Sequence, residues 1–186
     1  MSRFSRWIVG LLLTCACWPI SAAELHGGQQ AQVKTAFILN IARFVTWQEA
    51  SLPETGEMVL CFLGQNPYGN ATDLIEGRSI GGRRLVIYSI EAANQVHQCQ
   101  ILYIPADRLP AYANLAPVNI LTVTDLTLHE QHDQYRGMSM ISLVRDETRI
   151  SFTINLRSAK RAGLGISSEL LKLGDIYEPQ MDEPER

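Results

Sequence analysis

Residues 58–64, with the sequence MVLCFLG, decide the fold, because six apolar residues follow one another without a polar interruption and end at a glycine. A run of this length is typical of a strand that is buried on both faces. Pro67 then opens a short predicted helix that reaches about Glu76. Three further strand-like runs follow along the chain, at residues 84–90, 100–104 and 118–123.

The segments on either side of these strands predict helices and one hairpin. Residues 29–47 predict an amphipathic first helix. Its apolar side chains recur every three or four residues: Val33, Phe37, Ile41 and Phe44. Residues 106–114 predict a short helix that is broken near Pro110. Two runs near the C-terminus, 138–144 and 149–155, predict an antiparallel hairpin with one buried face.

The last third of the domain continues with two predicted helices. Residues 156–162 form the first, and Gly163 and Gly165 interrupt it before a final helix from Ser167 to Leu173, which Ser167 can cap. The whole pattern predicts an α/β fold, a layered sandwich with helices on both faces. Its central sheet is mostly parallel, has about five or six strands and ends in the antiparallel hairpin.

The N-terminus has the order of a secretory signal peptide. Arg3 and Arg6 precede an apolar stretch at 7–18, and the small residues 21–23 follow Pro19. We expect a signal peptide at 1–23 and a protein that is exported from the cytoplasm. The alternatives are a retained membrane anchor, for which the apolar stretch is short, and a lipid on a cysteine inside that stretch.

A single domain is predicted after the signal peptide, over residues 24–177. The acidic, proline-containing end at 178–186 is predicted to be disordered. The chain has a net charge of −3, and removal of Arg3 and Arg6 makes it more acidic. Because no basic cluster is expected, the sequence excludes an electrostatic surface for nucleic acid.

Two cysteines remain after removal of the signal peptide, Cys61 and Cys99, and disulfides persist in exported proteins. A bridge between them would stabilise the fold by roughly 4 kcal/mol in the chain-entropy model. The alternative is two separate buried thiols, since Cys61 lies inside a strand-like run.

Few residues suggest chemistry. His129 and His132 have a spacing of three and would share a helix face, and Asp133 is the only evident third metal ligand nearby. A solvated polar loop is the favoured interpretation of this segment. Asp125 follows a predicted parallel strand, where acids of α/β sites lie, although an Asx turn or a helix cap is favoured. The glycine motifs of serine hydrolases, nucleotide-binding loops and dinucleotide folds are missing from the sequence. No catalytic residue, metal site or cofactor is therefore predicted.

Residues 157–173, RSAKRAGLGISSELLKL, resemble the C-terminal signature of the YfiR family, also called DUF4154. Further matching pieces occur in the family's order and cover nearly the whole mature chain. They are Val33-Lys34-x-Ala36-Phe37 with Phe44-x-x-Trp47, Leu60-Cys61-x-x-Gly64, Cys99-x-Ile101-Leu102-Tyr103-Ile104, and the hairpin from Met140-Ile141 to Asn155-Leu156.

The resemblance implies a small periplasmic protein without enzymatic activity. The family's namesake is a redox-responsive repressor, which contacts the periplasmic sensor region of an inner-membrane diguanylate cyclase and restrains cyclic-di-GMP synthesis. An outer-membrane lipoprotein can sequester it. Cys61 and Cys99 fall where one family disulfide would lie. Because this chain has no cysteine at 131–152, where a second pair would be expected, the remaining bridge is interpreted as structural more than sensory.

The segment 163–173 is the predicted contact surface or small pocket, and simple packing of the last helix is the alternative. The residues proposed for partner or ligand binding are Arg161, Leu164, Ile166, Ser167 and Ser168. Two other functions stay open, a small-ligand-binding module that feeds a sensor histidine kinase or another receptor, and a hydrolase that uses Asp125 with a histidine. A homodimer is also possible.

Overall fold

The fold is taken from a computed structural model that describes residues 22–112, 117–129, 132–147 and 149–178. Most of the predicted signal peptide and the acidic end beyond Glu178 lie outside these ranges. Within them, an eight-stranded sheet forms the centre of the molecule. Strands are numbered in chain order, and β1 and β9 are not part of this sheet. The eight strands of the sheet are β2 (Glu57–Leu63), β3 (Ser79–Ile80), β4 (Arg83–Ile90), β5 (Ile101–Tyr103), β6 (Leu121–Asp125), β7 (Ile141–Asp146), β8 (Arg149–Ile154) and β10 (Asp175–Ile176). Two more short strands pair outside this sheet, β1 (Val45–Thr46) and β9 (Gly165–Ile166).

The strand order of the sheet is β10-β8-β7-β6-β5-β2-β4-β3. Strands β4, β2, β5, β6 and β7 run parallel to their neighbours in this order, and β7 and β8 form the predicted antiparallel hairpin. The α/β class and the hairpin are thus confirmed. The predicted number of strands was too low, because β3 and β10 are two residues long and leave no apolar run in the sequence.

Strand β2 lies inside the sheet and its side chains enter two separate cores. Met58, Leu60 and Phe62 belong to one buried cluster. The alternating residues Val59, Cys61 and Leu63 belong to the other, on the opposite face. The unbroken apolar run therefore has the physical cause that the sequence suggested, since both faces of this strand exclude water.

Helices cover both faces of the sheet. The long helix α1 (Ala22–Arg43) packs on the face of Leu60 and Phe62. The opposite face is covered by a 3-10 helix at Ala93–Gln98 and by α2 (Leu109–Tyr112). The remaining α-helices are α3 (His132–Tyr135), α4 (Leu156–Arg161) and α5 (Ser168–Leu171). Two further 3-10 helices lie at Glu49–Ser51 and Gly69–Leu74, and the second replaces the helix predicted from Pro67 to about Glu76. No helix in the described ranges combines the length and the apolar character that crossing a membrane requires.

Helix α1 is rotated relative to the prediction. Its buried side begins at Lys34 and continues through Ile38, Ile41 and Ala42. Val33 and Phe44, which were predicted to face the core, are exposed. The apolar periodicity was ambiguous here because apolar side chains occupy more than one side of the helix.

Several element boundaries also differ from the prediction. The helix expected at 106–114 is a 3-10 turn at Ala106–Arg108 followed by α2, and residues 113–116 lie outside the described ranges. The strand expected at 118–123 begins only at Leu121, because Asn119 has a left-handed backbone with φ of 60°. The helix expected from Ser167 to Leu173 ends at Leu171, and the Ser167 hydroxyl accepts from the Leu170 amide as predicted.

The disulfide between Cys61 and Cys99 is present, which confirms the predicted pairing. The two Cα atoms are 5.8 Å apart and the bridge joins β2 to the residues that lead into β5, across a sequence separation of 38. Both cysteines are buried in the core on the α2 side of the sheet. The bridge therefore ties β2 to the segment that enters its neighbour β5.

We expect the double substitution Cys61→Ala/Cys99→Ala to lower the free energy of unfolding by about 2–5 kcal/mol, because the unfolded chain regains the entropy that the bridge removes. Urea denaturation followed by circular dichroism measures this change. Denaturation of the unaltered protein in the presence of a reductant is the control, and it should give a similar loss. A loss below about 1 kcal/mol in both would contradict a stabilising role of the bridge.

Candidate partner-binding surface

A buried ion pair joins α1 to the sheet. Lys34 Nζ lies 2.8 Å from Asp125 Oδ2, and the two side chains are only 7% and 11% exposed. Asp125 ends β6, so its carboxylate is located at the carboxyl edge of the parallel strands, where sequence reasoning placed a possible site. Because charges removed from water are costly unless paired, this contact restricts how α1 can sit on the sheet.

The other contacts of Asp125 leave its carboxylate little capacity for chemistry. Tyr68 Oη donates to Oδ2 over 3.2 Å. The backbone amide and the hydroxyl of Thr127 both donate to Oδ1, over 3.0 and 2.7 Å. This i to i+2 bond is the Asx turn that was the favoured interpretation of Asp125.

Tyr68 and Tyr103 complete the polar cluster from the aromatic side. Their rings pack edge to face with centroids 5.5 Å apart, and Phe62 contacts both. Burial raises the pKa of Tyr68 well above its ordinary value, and the nearby Tyr103 and Asp125 raise it further. Burial, followed by the negative charge of Asp125, also raises the pKa of Tyr103. Both phenols therefore stay protonated, so Tyr68 acts as a hydrogen-bond donor and neither is a base.

An apolar groove lies on the outer side of α1, where the rotation of this helix leaves apolar side chains uncovered. Its cavity volume is about 420 Å³. We use the name apolar groove for the surface lined by Val33, Ala36, Phe37, Asn40, Ile41, Phe44, Phe152, Leu170 and Leu173. Val33, Phe44 and Leu173 are exposed, whereas Ile41, Phe152 and Leu170 are buried and form its floor. Large apolar side chains exposed beside such a floor are typical of binding surfaces.

The C-terminal part of the chain builds one wall of the apolar groove. The Ser167 amide donates to the Phe44 carbonyl, and β9 pairs with β1 through Ile166 and Val45. These bonds hold α5 against the end of α1. Gly174 then lets the chain pass close to Phe152, since a Cβ atom at this position would overlap the phenyl ring.

The five residues predicted for binding do not form one surface. Leu164 is buried in the core and Ser167 caps α5. Ile166 is in β9 and Ser168 is exposed at the start of α5, and neither residue lines the apolar groove. Arg161 lies apart on α4, where its Nη2 donates to the Ser158 hydroxyl.

Two of the three exposed groove residues are ones that the sequence assigned to the core. Val33 and Phe44 belonged to the predicted apolar stripe of the first helix, whereas Leu173 lies in the predicted contact segment 163–173, for which packing of the last helix was the alternative. The sequence does not show that Lys34 is buried, since that depends on its ion pair with Asp125. Once Lys34 faces the core, its neighbour Val33 must face solvent.

The histidine-rich segment gives no assembled site in the described part of the chain. The ring of His129 contacts the ring of Tyr135 at a centroid distance of 4.9 Å. Glu130 and Gln131 are outside the described residues, and the position of the His132 side chain is not described. Among the described residues, no group of three or more potential ligands is close enough to hold a metal ion.

Comparison with known proteins adds one finding. The family model of DUF4154, described as YfiR/HmsC-like, matches residues 31–175. This range contains the ion pair, the disulfide and the residues of the apolar groove. No curated protein matches the chain.

We expect Asp125→Ala to lower the free energy of unfolding by about 3–5 kcal/mol, because it leaves the Lys34 ammonium buried without a counter-charge. The double substitution Lys34→Met/Asp125→Leu is the control, since it removes both charges, and it should lose clearly less. Thermal and urea denaturation measure the difference. Equal losses in the two variants would show that the pair has no structural role as a charge pair.

We expect Gly174→Ala to destabilise the protein by about 1–3 kcal/mol, because the new methyl group must displace the buried Phe152 ring. Gly28→Ala in α1 is the matched control, since nothing lies within 4 Å of a Cβ atom there. The control should be neutral or slightly stabilising. Urea denaturation compares the two, and a neutral Gly174→Ala would refute the close approach to Phe152.

Proposed function

The chain belongs to the YfiR/HmsC-like family, DUF4154, and from this premise we propose that it is a periplasmic negative regulator of cyclic-di-GMP signalling. In this proposal it binds the periplasmic sensor region of an inner-membrane diguanylate cyclase and restrains the enzyme. The predicted signal peptide at 1–23 would direct its export. The disulfide between Cys61 and Cys99 supports the same compartment, since such bonds persist outside the cytoplasm.

The apolar groove is the observation that carries the proposed binding. It combines a buried floor with three exposed apolar residues, and a partner that covered them would remove apolar surface from water. An amphipathic helix or an apolar side chain of the sensor region has the complementary chemistry. An outer-membrane lipoprotein that sequesters the regulator would compete for this surface, and a homodimer would cover it as well.

A regulatory role agrees with the family, which is regulatory rather than catalytic. The alternative hydrolase would need Asp125 to accept a proton or attack a substrate. Its two oxygens already accept from Tyr68 and Thr127 and pair with Lys34. These contacts support a structural role for Asp125, so the hydrolase is not the function that the site favours.

A second candidate is a small-ligand-binding module that feeds a sensor histidine kinase or another receptor. The volume of the apolar groove, about 420 Å³, lies within the range of small-molecule sites and favours this candidate specifically. The neighbouring genes discriminate between the two. A cyclase with a periplasmic domain supports the regulator, and a sensor kinase supports the ligand-binding module.

The decisive test compares two aspartate substitutions at residues of equal exposure. Leu173, in the apolar groove, and Val118, outside it, are both 66% exposed. In cells that lack the chromosomal gene, we expect unaltered protein and Val118→Asp to restore low cyclic-di-GMP. Leu173→Asp should leave the level high and weaken binding to the purified sensor region by about tenfold or more, since a charge would be buried against apolar surface.

Two outcomes would contradict the proposal. If deletion of the gene raises no cyclic-di-GMP while the cyclase is present, the repressor function is wrong. If Leu173→Asp and Val118→Asp repress equally well, the partner does not use the apolar groove. Thermal denaturation of both variants shows whether a loss of repression by Leu173→Asp comes from unfolding.

A further inference from the structure

A second groove lies on α4 and carries the opposite chemistry to the first. Its cavity volume is about 510 Å³. We use the name basic groove for the surface lined by Leu156, Arg157, Lys160, Arg161, Ile176, Tyr177 and Glu178. The groove therefore lies between α4 and the chain that leaves β10, away from the residues that line the apolar groove.

Three cations concentrate in the basic groove. Arg157, Lys160 and Arg161 are three of the 16 Lys and Arg residues of a chain whose net charge is −3. Their spacing of three and four residues places them on one side of α4. The expectation that the chain has no basic cluster is therefore wrong at this position, because the total charge does not report how the charges are distributed.

None of the three cations forms an ion pair within the described residues, although Glu178 also lines the groove. Arg161 donates to the Ser158 hydroxyl over 3.0 Å. Arg157 and Lys160 form no ion pair or side-chain hydrogen bond within the part of the chain that the structure describes. All three side chains are exposed. Among the described residues, the donors of Arg157 and Lys160 therefore have no contact to break before they meet a ligand.

We propose that the basic groove binds an acidic peptide segment of a protein partner. Carboxylates of the segment pair with Arg157, Lys160 and Arg161, since a guanidinium donates to a carboxylate through two parallel hydrogen bonds. An apolar side chain of the same segment packs on Leu156, Ile176 and Tyr177, which line the groove between the cations. The ligand is therefore both acidic and partly apolar.

The shape of the surface favours a peptide over a membrane. Leu156 and Tyr177 are only partly exposed, so a side chain can reach them inside the groove but the flat surface of a bilayer cannot. Three cations are also fewer than the four to eight that typically hold a protein on acidic lipids. The contact is separate from the apolar groove, so it stands whether or not the proposed function is correct.

The experiment measures binding of a fluorescent octapeptide of seven glutamates and one leucine to the mature protein by anisotropy. We expect binding that weakens as salt is added. Arg157→Gln/Lys160→Gln should weaken it by about tenfold or more. Arg78→Gln/Arg149→Gln is the matched control, because it removes the same charge from exposed residues outside the groove, and binding should change by less than about twofold.

Further measurements distinguish an acidic peptide from the chain's own acidic end and from a lipid surface. A peptide with glutamine in place of glutamate should not bind. Truncation after Glu178 should leave binding unchanged or tighten it, since the chain's own Asp182, Glu183 and Glu185 carry the same chemistry and would compete. Equal affinity of both double variants overturns the proposal. So does binding of the protein to phosphatidylglycerol vesicles without binding to the acidic peptide. Thermal denaturation confirms that each variant is folded.

Discussion

The ion pair between Lys34 and Asp125 is the contact on which the arrangement of the molecule depends. It is almost completely buried, and an unpaired charge in that position would be strongly unfavourable. Helix α1 can therefore dock on the sheet in only one rotation. That rotation turns Ile38 and Ala42 into the core and leaves Val33 and Phe44 at the surface. The apolar groove is a consequence of this constraint.

The two faces of the sheet have separate roles. The ion pair and the apolar groove belong to the face of α1, whereas the disulfide is buried on the face of α2. Strand β2 contributes to both faces, because Cys61 points to the face of α2 whereas its neighbours Leu60 and Phe62 point to the face of α1. With both cysteines nearly inaccessible to solvent, a reductant reaches the bridge only when the structure opens. This burial agrees with the interpretation of the bridge as structural more than sensory.

The parts of the site that the sequence failed to reveal have identifiable physical causes. Leu164 was predicted to contact a partner but is buried. The prediction failed because a single apolar residue between two glycines gives the same sequence pattern in a core and at an interface. Arg161 was grouped with Ile166 and Ser168, although α4 places it in the basic groove. For Leu173 the sequence left contact and packing open, and the structure decides between them because α5 ends before Leu173 and leaves it at the surface.

The sequence by itself determined the α/β class, the buried position of 58–63, the hairpin, the cap at Ser167 and the pairing of Cys61 with Cys99. The class, the buried strand and the hairpin follow from local periodicity. The cap depends on one side chain near one backbone amide, and Cys61 and Cys99 are the only two cysteines outside the predicted signal peptide. Only the tertiary structure decided the rotation of α1, the edge strands β3 and β10, and the two grooves. Each of these depends on contacts between residues far apart in the chain, such as Lys34 and Asp125. A local sequence pattern cannot predict such a contact.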